Sequence, residues 1–169
     1  MGRLLRKFLS NLPYLLCSKE TKNMNYMDEA IKEAKKALRD GEVPIGCVIV
    51  KDGTIIGRGH NIKESTNCAI NHAEILSIKE ASKAIGDWRL NGCEMYVTVE
   101  PCPMCASAIV QSRISKIYIG TFNKDMGACG TVIDIVNNNS LNSFLDIAWM
   151  YDKRCSEMLS NFFNMKRKE

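Results

Sequence analysis

The chain has 169 residues, of which 46% are hydrophobic and 25% are charged, a length and composition that fit one globular domain with a single core. Its formal net charge is +4, but five basic residues against one acidic residue within 1–23 account for the whole excess. The rest of the chain is formally neutral, so overall charge does not indicate a nucleic-acid partner. No stretch is long and apolar enough to predict a membrane span.

Residues 1–23 combine a basic start with an apolar stretch, as secretory signals do. Ser10, Asn11 and Pro13 interrupt the apolar stretch, and no small-residue cleavage site follows it. These features argue against export. We expect 1–23 to be a disordered extension, or the product of a start codon assigned too early, and we expect the folded domain to occupy 24–169.

The first predicted elements are a helix and a hairpin. Apolar residues at helical spacing predict an amphipathic helix over 27–39 that ends near Gly41; they are Met27, Ala30, Ile31, Ala34, Ala37 and Leu38. Two runs rich in β-branched residues, 45–50 and 54–58, follow it. The Asp-Gly pair between them is a strong hairpin signal, so we predict two antiparallel strands.

The rest of the chain alternates helices and strands. We predict a helix over 72–85, a strand over 95–99, a helix over 102–111, a strand over 116–119, a Gly- and Asn-rich loop over 121–139 that includes a turn of helix, a short strand over 147–150 and a helix over 154–166. In the second helix, Ile75, Leu76, Ile78 and Ala81 are the expected core positions. Strand, helix, strand alternation indicates parallel pairing. The predicted fold class is α/β, a three-layer α/β/α sandwich with a mixed five-stranded sheet.

Eight cysteines raise the question of a disulfide framework; they are Cys17, Cys47, Cys68, Cys93, Cys102, Cys105, Cys129 and Cys155. The chain is long for a small disulfide-stabilised scaffold and has ordinary helix and strand patterns. We therefore predict reduced thiols, as is typical of the cytoplasm.

Two short motifs carry residues suited to metal binding. His72 and Glu74 lie at the start of the second predicted helix, and Cys102 and Cys105 lie at the start of the third, after Pro101. Two cysteines three positions apart share one face of a helix and can bind one metal ion. A helix N-terminus favours negative charge, which stabilises the thiolates that a metal requires.

The number of ligands indicates a catalytic rather than a structural site. A structural zinc would require four protein ligands, but the chain has no second Cys-x-x-Cys pair and only one other histidine, His60, for which we expect a surface or strand-end role. Three ligands leave the fourth tetrahedral position for water. Glu74 is then placed to accept and return protons. His-x-Glu with Pro-Cys-x-x-Cys is the signature of zinc deaminases, and we predict one Zn²⁺ per subunit.

From about Met27 to Arg167 the sequence resembles the bacterial tRNA-specific adenosine deaminases of the cytidine deaminase-like superfamily. The resemblance runs through the two metal motifs and through 41–46, 57–61, 88–90, 96–106, 112–114 and 162–163. It implies hydrolysis of adenosine to inosine at the wobble position of an arginine tRNA anticodon, in a cytoplasmic homodimer. The chain departs from the family's usual residues at Asn71, Ser107, Trp149 and Asn164.

The resemblance also implies roles for individual residues. The metal ligands would be His72, Cys102 and Cys105, the proton shuttle would be Glu74, and the substrate contacts would come from Asn61, Val43, Pro44, Phe162, Phe163, Lys166 and Arg167. Of these contacts, Asn61 would meet the target nucleotide and the two phenylalanines would meet the anticodon stem-loop. Without the family, the same residues fit a turn, a partly buried phenylalanine pair and a solvated helix end.

Two other functions fit the same motifs. A deaminase of free guanine or cytosine would use the same zinc site, although aromatic residues with a basic end favour RNA. A zinc-stabilised RNA-binding module without catalysis would belong to a different class. The intact Glu74 and the missing fourth ligand argue against that second alternative.

Overall fold

The computed structural model describes residues 25–168. The extension expected at 1–23, Met24 and Glu169 lie outside the described residues. The elements are α1 (Tyr26–Arg39), β1 (Gly46–Lys51), β2 (Thr54–His60), α2 (Ala73–Ile85), β3 (Glu94–Val99), α3 (Pro103–Gln111), β4 (Lys116–Thr121), β5 (Asn137–Asn138), a 3₁₀ turn (Asn139–Leu141), β6 (Ser143–Phe144), β7 (Asp146–Trp149) and α4 (Lys153–Lys166).

The main sheet has five strands in the order β2-β1-β3-β4-β7. β1 is antiparallel to both β2 and β3, whereas β3, β4 and β7 are parallel to one another. In the β1–β2 turn, Asp52 and Gly53 both have positive φ, as a two-residue Asp-Gly hairpin turn requires. The mixed five-stranded sheet, the hairpin and the parallel β3-α3-β4 unit confirm the sequence prediction.

Helices cover both faces of the sheet. In β1, Val48 and Val50 pack with residues of α1 and with Cys155 of α4. Cys47 and Ile49 point to the other face and join the larger core that includes α2 and α3. Because successive side chains of a strand face opposite sides, one strand serves both cores. The result is the predicted three-layer sandwich.

Small residues let α2 lie very close to β2. Gly57 and Gly59 share one face of β2, and an added Cβ at either would collide with the backbone carbonyl of Ser77 or Ala73, respectively. The helix presents Ala73, Ser77 and Ala81 to this face, and all three are buried. Of the predicted core positions in α2, Ala81 is buried and Ile78 packs against the core. The prediction was wrong for Ile75 and Leu76, which are half-buried and belong to neither core cluster, because the contact with β2 requires small side chains rather than large ones.

The segment after β4 is more structured than predicted. Besides the expected loop and 3₁₀ turn, β5 and β6 form a small antiparallel ribbon that hydrophobic patterning did not reveal. All seven cysteines in the described part of the chain are free thiols; Cys17 lies outside it. None of the helices within 25–168 has the length and apolar character that a membrane crossing requires.

Candidate metal centre and active site

His72 lies just before α2 rather than inside it. Its backbone is extended, with φ −81° and ψ 155°, and it is the N-cap residue of the helix. The preceding loop holds it in place through hydrogen bonds from the His72 N–H to the Ile70 carbonyl at 2.8 Å and from the Ile62 N–H to the Asn71 carbonyl at 3.2 Å. The imidazole is therefore presented at the helix N-terminus.

Cys102 and Cys105 lie at the N-terminus of α3. Cys102 is the N-cap residue and has extended backbone dihedrals, whereas Cys105 lies within the first turn. The prediction that the helix begins at Cys102 was one residue early. The reason is Pro103, because a residue before proline is pushed out of helical conformation. Proline at the first helical position costs no hydrogen bond there.

The three side chains form a compact donor set. The Sγ atoms of Cys102 and Cys105 lie 3.7 Å and 3.5 Å from Nδ1 of His72, and all three ligand atoms lie within 4.8 Å of one another. Tetrahedral zinc, with Zn–S near 2.3 Å and Zn–N near 2.0 Å, places such atoms about 3.5 Å apart. The arrangement fits zinc. Within residues 25–168 it is the one cluster of three such side chains.

Glu74 lies two residues beyond His72 in the first turn of α2. Its side chain is buried, and its Oε2 has no hydrogen-bond partner among the described residues. Burial raises the pKa of the Glu74 carboxyl to about 7. A carboxyl that titrates near neutral pH and has one free oxygen can both accept and donate a proton. A buried polar atom without a partner is costly, which makes Glu74 a candidate for a chemical role.

The two thiols are not equivalent. A hydrogen bond from the Cys105 thiol, together with the nearby His72, lowers the pKa of Cys102 to about 4, although partial burial opposes the shift. The same hydrogen bond and burial raise the pKa of Cys105. Both thiols must be deprotonated to bind a metal, so metal binding releases protons and depends on pH.

Comparisons with known proteins agree with this geometry. Residues 20–121 match the family described as the cytidine and deoxycytidylate deaminase zinc-binding region. The tRNA-specific adenosine deaminase of Bacillus subtilis (strain 168) is 47% identical over 150 residues, which cover 88% of this chain and 93% of the relative. The chain belongs to the tRNA-specific adenosine deaminases.

This deaminase is also similar to two solved structures of deaminases. One, from work on A-to-I editing by tRNA:A34 deaminases at the wobble position of transfer RNA, has a TM-score of 0.76 and 36% identity, and the match covers 79% of this chain and 98% of that one. The guanine deaminase of Bacillus subtilis has a TM-score of 0.57 and 29% identity, over 85% of this chain and 95% of that one.

Glu100 is a structural component of this deaminase's site that sequence reasoning did not single out. It follows β3 directly, is 2% exposed and accepts hydrogen bonds from the backbone N–H groups of Asn123, Cys129 and Thr131 at 3.0–3.1 Å. Three bonds to one carboxylate fix the loop 121–131 against the segment that carries Cys102. The sequence does contain one signal for this role, because Glu100 stands between an apolar strand and the Pro101-Cys102 pair.

Asn61 is held in a fixed orientation in this deaminase. It is buried, and its Nδ2 donates to Oε2 of Glu42 at 3.0 Å. Oε1 of Glu42 accepts the Ser65 backbone N–H at 2.7 Å. Burial alone would raise the pKa of Glu42, but the Ser65 N–H and further polar contacts outweigh it, so the pKa is lowered. Glu42 therefore stays ionised and orients the Asn61 amide.

The remaining predicted contact residues divide between two sides of α4. Val43, Phe163 and Arg167 line one cavity of about 530 Å³, with Phe122 and Lys124 among its other residues. Phe162 is buried and lines a separate cavity of about 380 Å³ with α1 residues. Pro44 is buried beside Val43, and Lys166 is exposed near the end of α4. Of the phenylalanine pair, only Phe163 faces the larger cavity.

Proposed function

We propose that this deaminase hydrolyses adenosine to inosine and ammonia at the wobble position of a tRNA anticodon, with arginine tRNA as the substrate. The observation that carries the proposal is the three-ligand cluster of His72, Cys102 and Cys105 beside the unpaired carboxylate oxygen of Glu74. The relatives named for the same activity support it.

The reaction needs a nucleophile and a route for protons. Zinc held by the three ligands would supply the activation of water that hydrolytic deamination requires. Glu74 takes a proton from that water, delivers one to N1 of adenine and protonates the departing amino group, so that water and adenosine give inosine and ammonia. Its pKa of about 7 suits both directions of transfer. Burial of the carboxylate keeps bulk water from competing for the proton.

The first test is Glu74→Ala. We expect the protein to fold and retain zinc, because Glu74 is not a ligand, while inosine formation in an anticodon stem-loop falls by about 10²-fold or more. Inosine is measured by sequencing or nucleoside chromatography, and zinc by elemental analysis. Glu64→Gln on the exposed loop is the matched control and should keep full activity. A Glu74→Ala rate near that of the wild type would contradict the proposed role.

The choice of RNA over a free base rests on the cavity beside α4. Phe163 is 45% exposed and faces the same cavity as Arg167. This arrangement suits a base stacked on Phe163 and a phosphate near Arg167. A free base would instead be expected to bind in a pocket that encloses it almost completely.

Phe163→Ala should therefore raise KM for the stem-loop about 5-fold or more, because base stacking is typically worth 1–3 kcal/mol. Steady-state kinetics on the stem-loop, free guanine and free cytosine test this. Turnover of either free base, with no inosine in the RNA, would favour the small-molecule alternative. RNA binding by zinc-replete protein without ammonia release would favour the non-catalytic module.

Three further features belong to the proposal. We propose that the protein acts in the cytoplasm, where tRNA is modified, and that two copies form a homodimer, as expected for the family; sedimentation measures the latter. We also propose that 24–169 is the catalytic domain and that 1–23 is dispensable, because the ligand cluster and Glu74 lie within the described fold. A chain lacking 1–23 should then deaminate at the full rate.

A further inference from the structure

Three aromatic side chains form a group after β4 and at the end of β7, in which Phe122 and Tyr151 are exposed and Trp149 is half-buried against the main core. Phe122 and Trp149 have ring centroids 4.7 Å apart, Phe122 and Tyr151 are 5.6 Å apart, and Trp149 and Tyr151 are 6.3 Å apart with their planes inclined by 25°. Phe122 is 41% exposed and Tyr151 is 67% exposed. We call these three residues the aromatic cluster. Large aromatic rings left in water, packed on one another, are typical of binding surfaces.

The cluster lies at the edge of the sheet that carries the site. Phe122 directly follows β4 and Trp149 ends β7, and these two strands are parallel neighbours. Glu100 and Cys102 follow the next parallel strand, β3, at the same edge. Phe122 also lines the 530 Å³ cavity together with Phe163 and Arg167. The aromatic cluster therefore continues the surface on which the substrate would lie.

The backbone at Tyr151 is strained. Its φ is +50°, a conformation that costs free energy for a residue with a large side chain and that glycine adopts freely. Hydrogen bonds hold it from both sides, from the Met150 N–H to the Ile119 carbonyl at 2.8 Å and from the Asp152 N–H to the Gly120 carbonyl at 2.9 Å. An exposed tyrosine here costs stability without gaining burial. Strain retained at such a position indicates a functional use of the side chain.

We propose that the aromatic cluster stacks on an unpaired base of the substrate RNA other than the adenosine being deaminated. An aromatic ring can stack on any of the four bases, so this contact positions the anticodon loop without selecting a particular base. Two exposed cations that line the adjoining cavity, Lys124 and Arg167, suit the phosphates beside such a base. The inference rests on the proposed function, because it assigns a second contact for the same RNA.

The test uses the full-length, zinc-replete protein and an anticodon stem-loop with adenosine at the wobble position. Tyr151→Gly removes the ring and relieves the strain. It should leave the midpoint of urea unfolding unchanged or higher, yet raise KM about 5-fold or more with kcat little changed, as expected when stacking is lost equally from ground and transition states. Trp149→Ala should raise KM similarly. Tyr151→Phe, which keeps the ring, should recover most of the affinity that Tyr151→Gly loses. Met150→Ala, which removes an exposed apolar side chain next to the cluster, is the control that should behave as wild type.

A double-mutant cycle identifies the base. Loop nucleotides other than the target are replaced one at a time by abasic sites, with wild-type protein and with Tyr151→Gly. At one position the two changes should be strongly non-additive, because either one removes the same contact. Trp149 fluorescence, measured in a Trp88→Phe background with Glu74→Ala to prevent turnover, should be quenched by the intact stem-loop and less so by that abasic one.

Unchanged KM in both Tyr151→Gly and Trp149→Ala would overturn the inference, as would additive effects at every loop position. A change of sedimentation in Tyr151→Gly would also overturn it, because the cluster would then contact a second copy of the chain. Failure of the proposed function has a different signature, in which the wild-type protein with zinc forms no inosine at all.

Discussion

Glu100 organises the site through backbone hydrogen bonds and is not part of the ligand cluster. Its carboxylate is the common acceptor for three backbone N–H groups from the loop 121–131, and Gly127 packs directly on it. A carboxylate can accept from several donors at once, whereas an amide must turn its own NH₂ toward some of them. The position of the loop 121–131 therefore depends on Glu100 being a carboxylate rather than an amide.

Glu100→Gln should lower the free energy of unfolding by about 1–3 kcal/mol, because a buried donor would face another donor. It should also lower kcat/KM on the stem-loop, because the loop follows β4 beside the cavity. Urea unfolding and steady-state kinetics measure the two effects. Glu94→Gln is the matched comparison, since Glu94 accepts from the Tyr96 and Tyr118 hydroxyl groups, which can rotate; a loss as large there would contradict the argument.

Sequence spacing was sufficient to predict that His72, Cys102 and Cys105 lie together, as they do in the structure. It was not sufficient for Glu42 and Glu100. Each acts on backbone N–H groups more than 20 positions further along the chain, and no local pattern reports such a contact. The phenylalanine pair was ambiguous for a similar reason, because two adjacent helical residues face different directions and only packing decides which one is buried.

At the scale of elements, the close contact of α2 with β2 sets the position of both His72 and Glu74. Gly59 is essential to it, since a Cβ there would meet the Ala73 carbonyl and lie 2.9 Å from the Ser77 backbone nitrogen. Ala73 is the first residue of α2 and directly follows His72. Any displacement of the helix is therefore transmitted to the metal ligand.

Gly59→Ala should lower the free energy of unfolding by about 1–3 kcal/mol through overpacking and should also weaken zinc affinity. Competition with a fluorescent chelator measures the second effect. Gly92→Ala serves as the control. It introduces strain at a φ of +74° but no contact within 4 Å, so it should cost about 1–2 kcal/mol of stability with unchanged zinc affinity. Equal zinc affinity in the two variants would contradict the argument.

The elements themselves were predictable where local signals agree. The Asp52-Gly53 turn and the amphipathic α1 both occur where the patterns indicated. Which face of α2 is buried was not predictable from the helix alone. Ala73, Ser77 and Ala81 are buried because they pack on Gly57 and Gly59 of β2, a contact that the sequence of α2 does not reveal. The β5–β6 ribbon was missed because strands of two residues have no measurable periodicity.

At the scale of the whole molecule, a bound metal would add a link between α2 and α3, which the packing of the core otherwise holds together. His72 is the N-cap residue of α2, Cys102 is the N-cap residue of α3 and Cys105 lies in its first turn, so a bound ion would connect segments 30 residues apart in sequence. A ligand that binds only the folded state raises its stability by RT ln(1 + [L]/Kd).

Removing zinc with a chelator should therefore lower the unfolding temperature and abolish inosine formation, and added zinc should restore both. At a zinc concentration 100 times Kd the expected stabilisation is about 2.7 kcal/mol. Scanning fluorimetry with and without chelator measures it. In His72→Ala the chelator should have little effect on the unfolding temperature; an equal shift in that variant would show that the metal binds elsewhere.

The loop fixed by Glu100 also determines where this protein can be recombined with a relative. A chimera joined at the end of β4 would take Glu100 from one parent and the three backbone N–H groups that it binds from the other, so the loop of the second parent would have to match the position of this carboxylate. A junction after Thr131 keeps that unit intact. Residues 132–168 include Trp149, Tyr151 and α4, for which we propose contacts with RNA, so exchanging this segment would test whether it determines which nucleic acid is recognised, while the zinc ligands stay with the donor of the first segment.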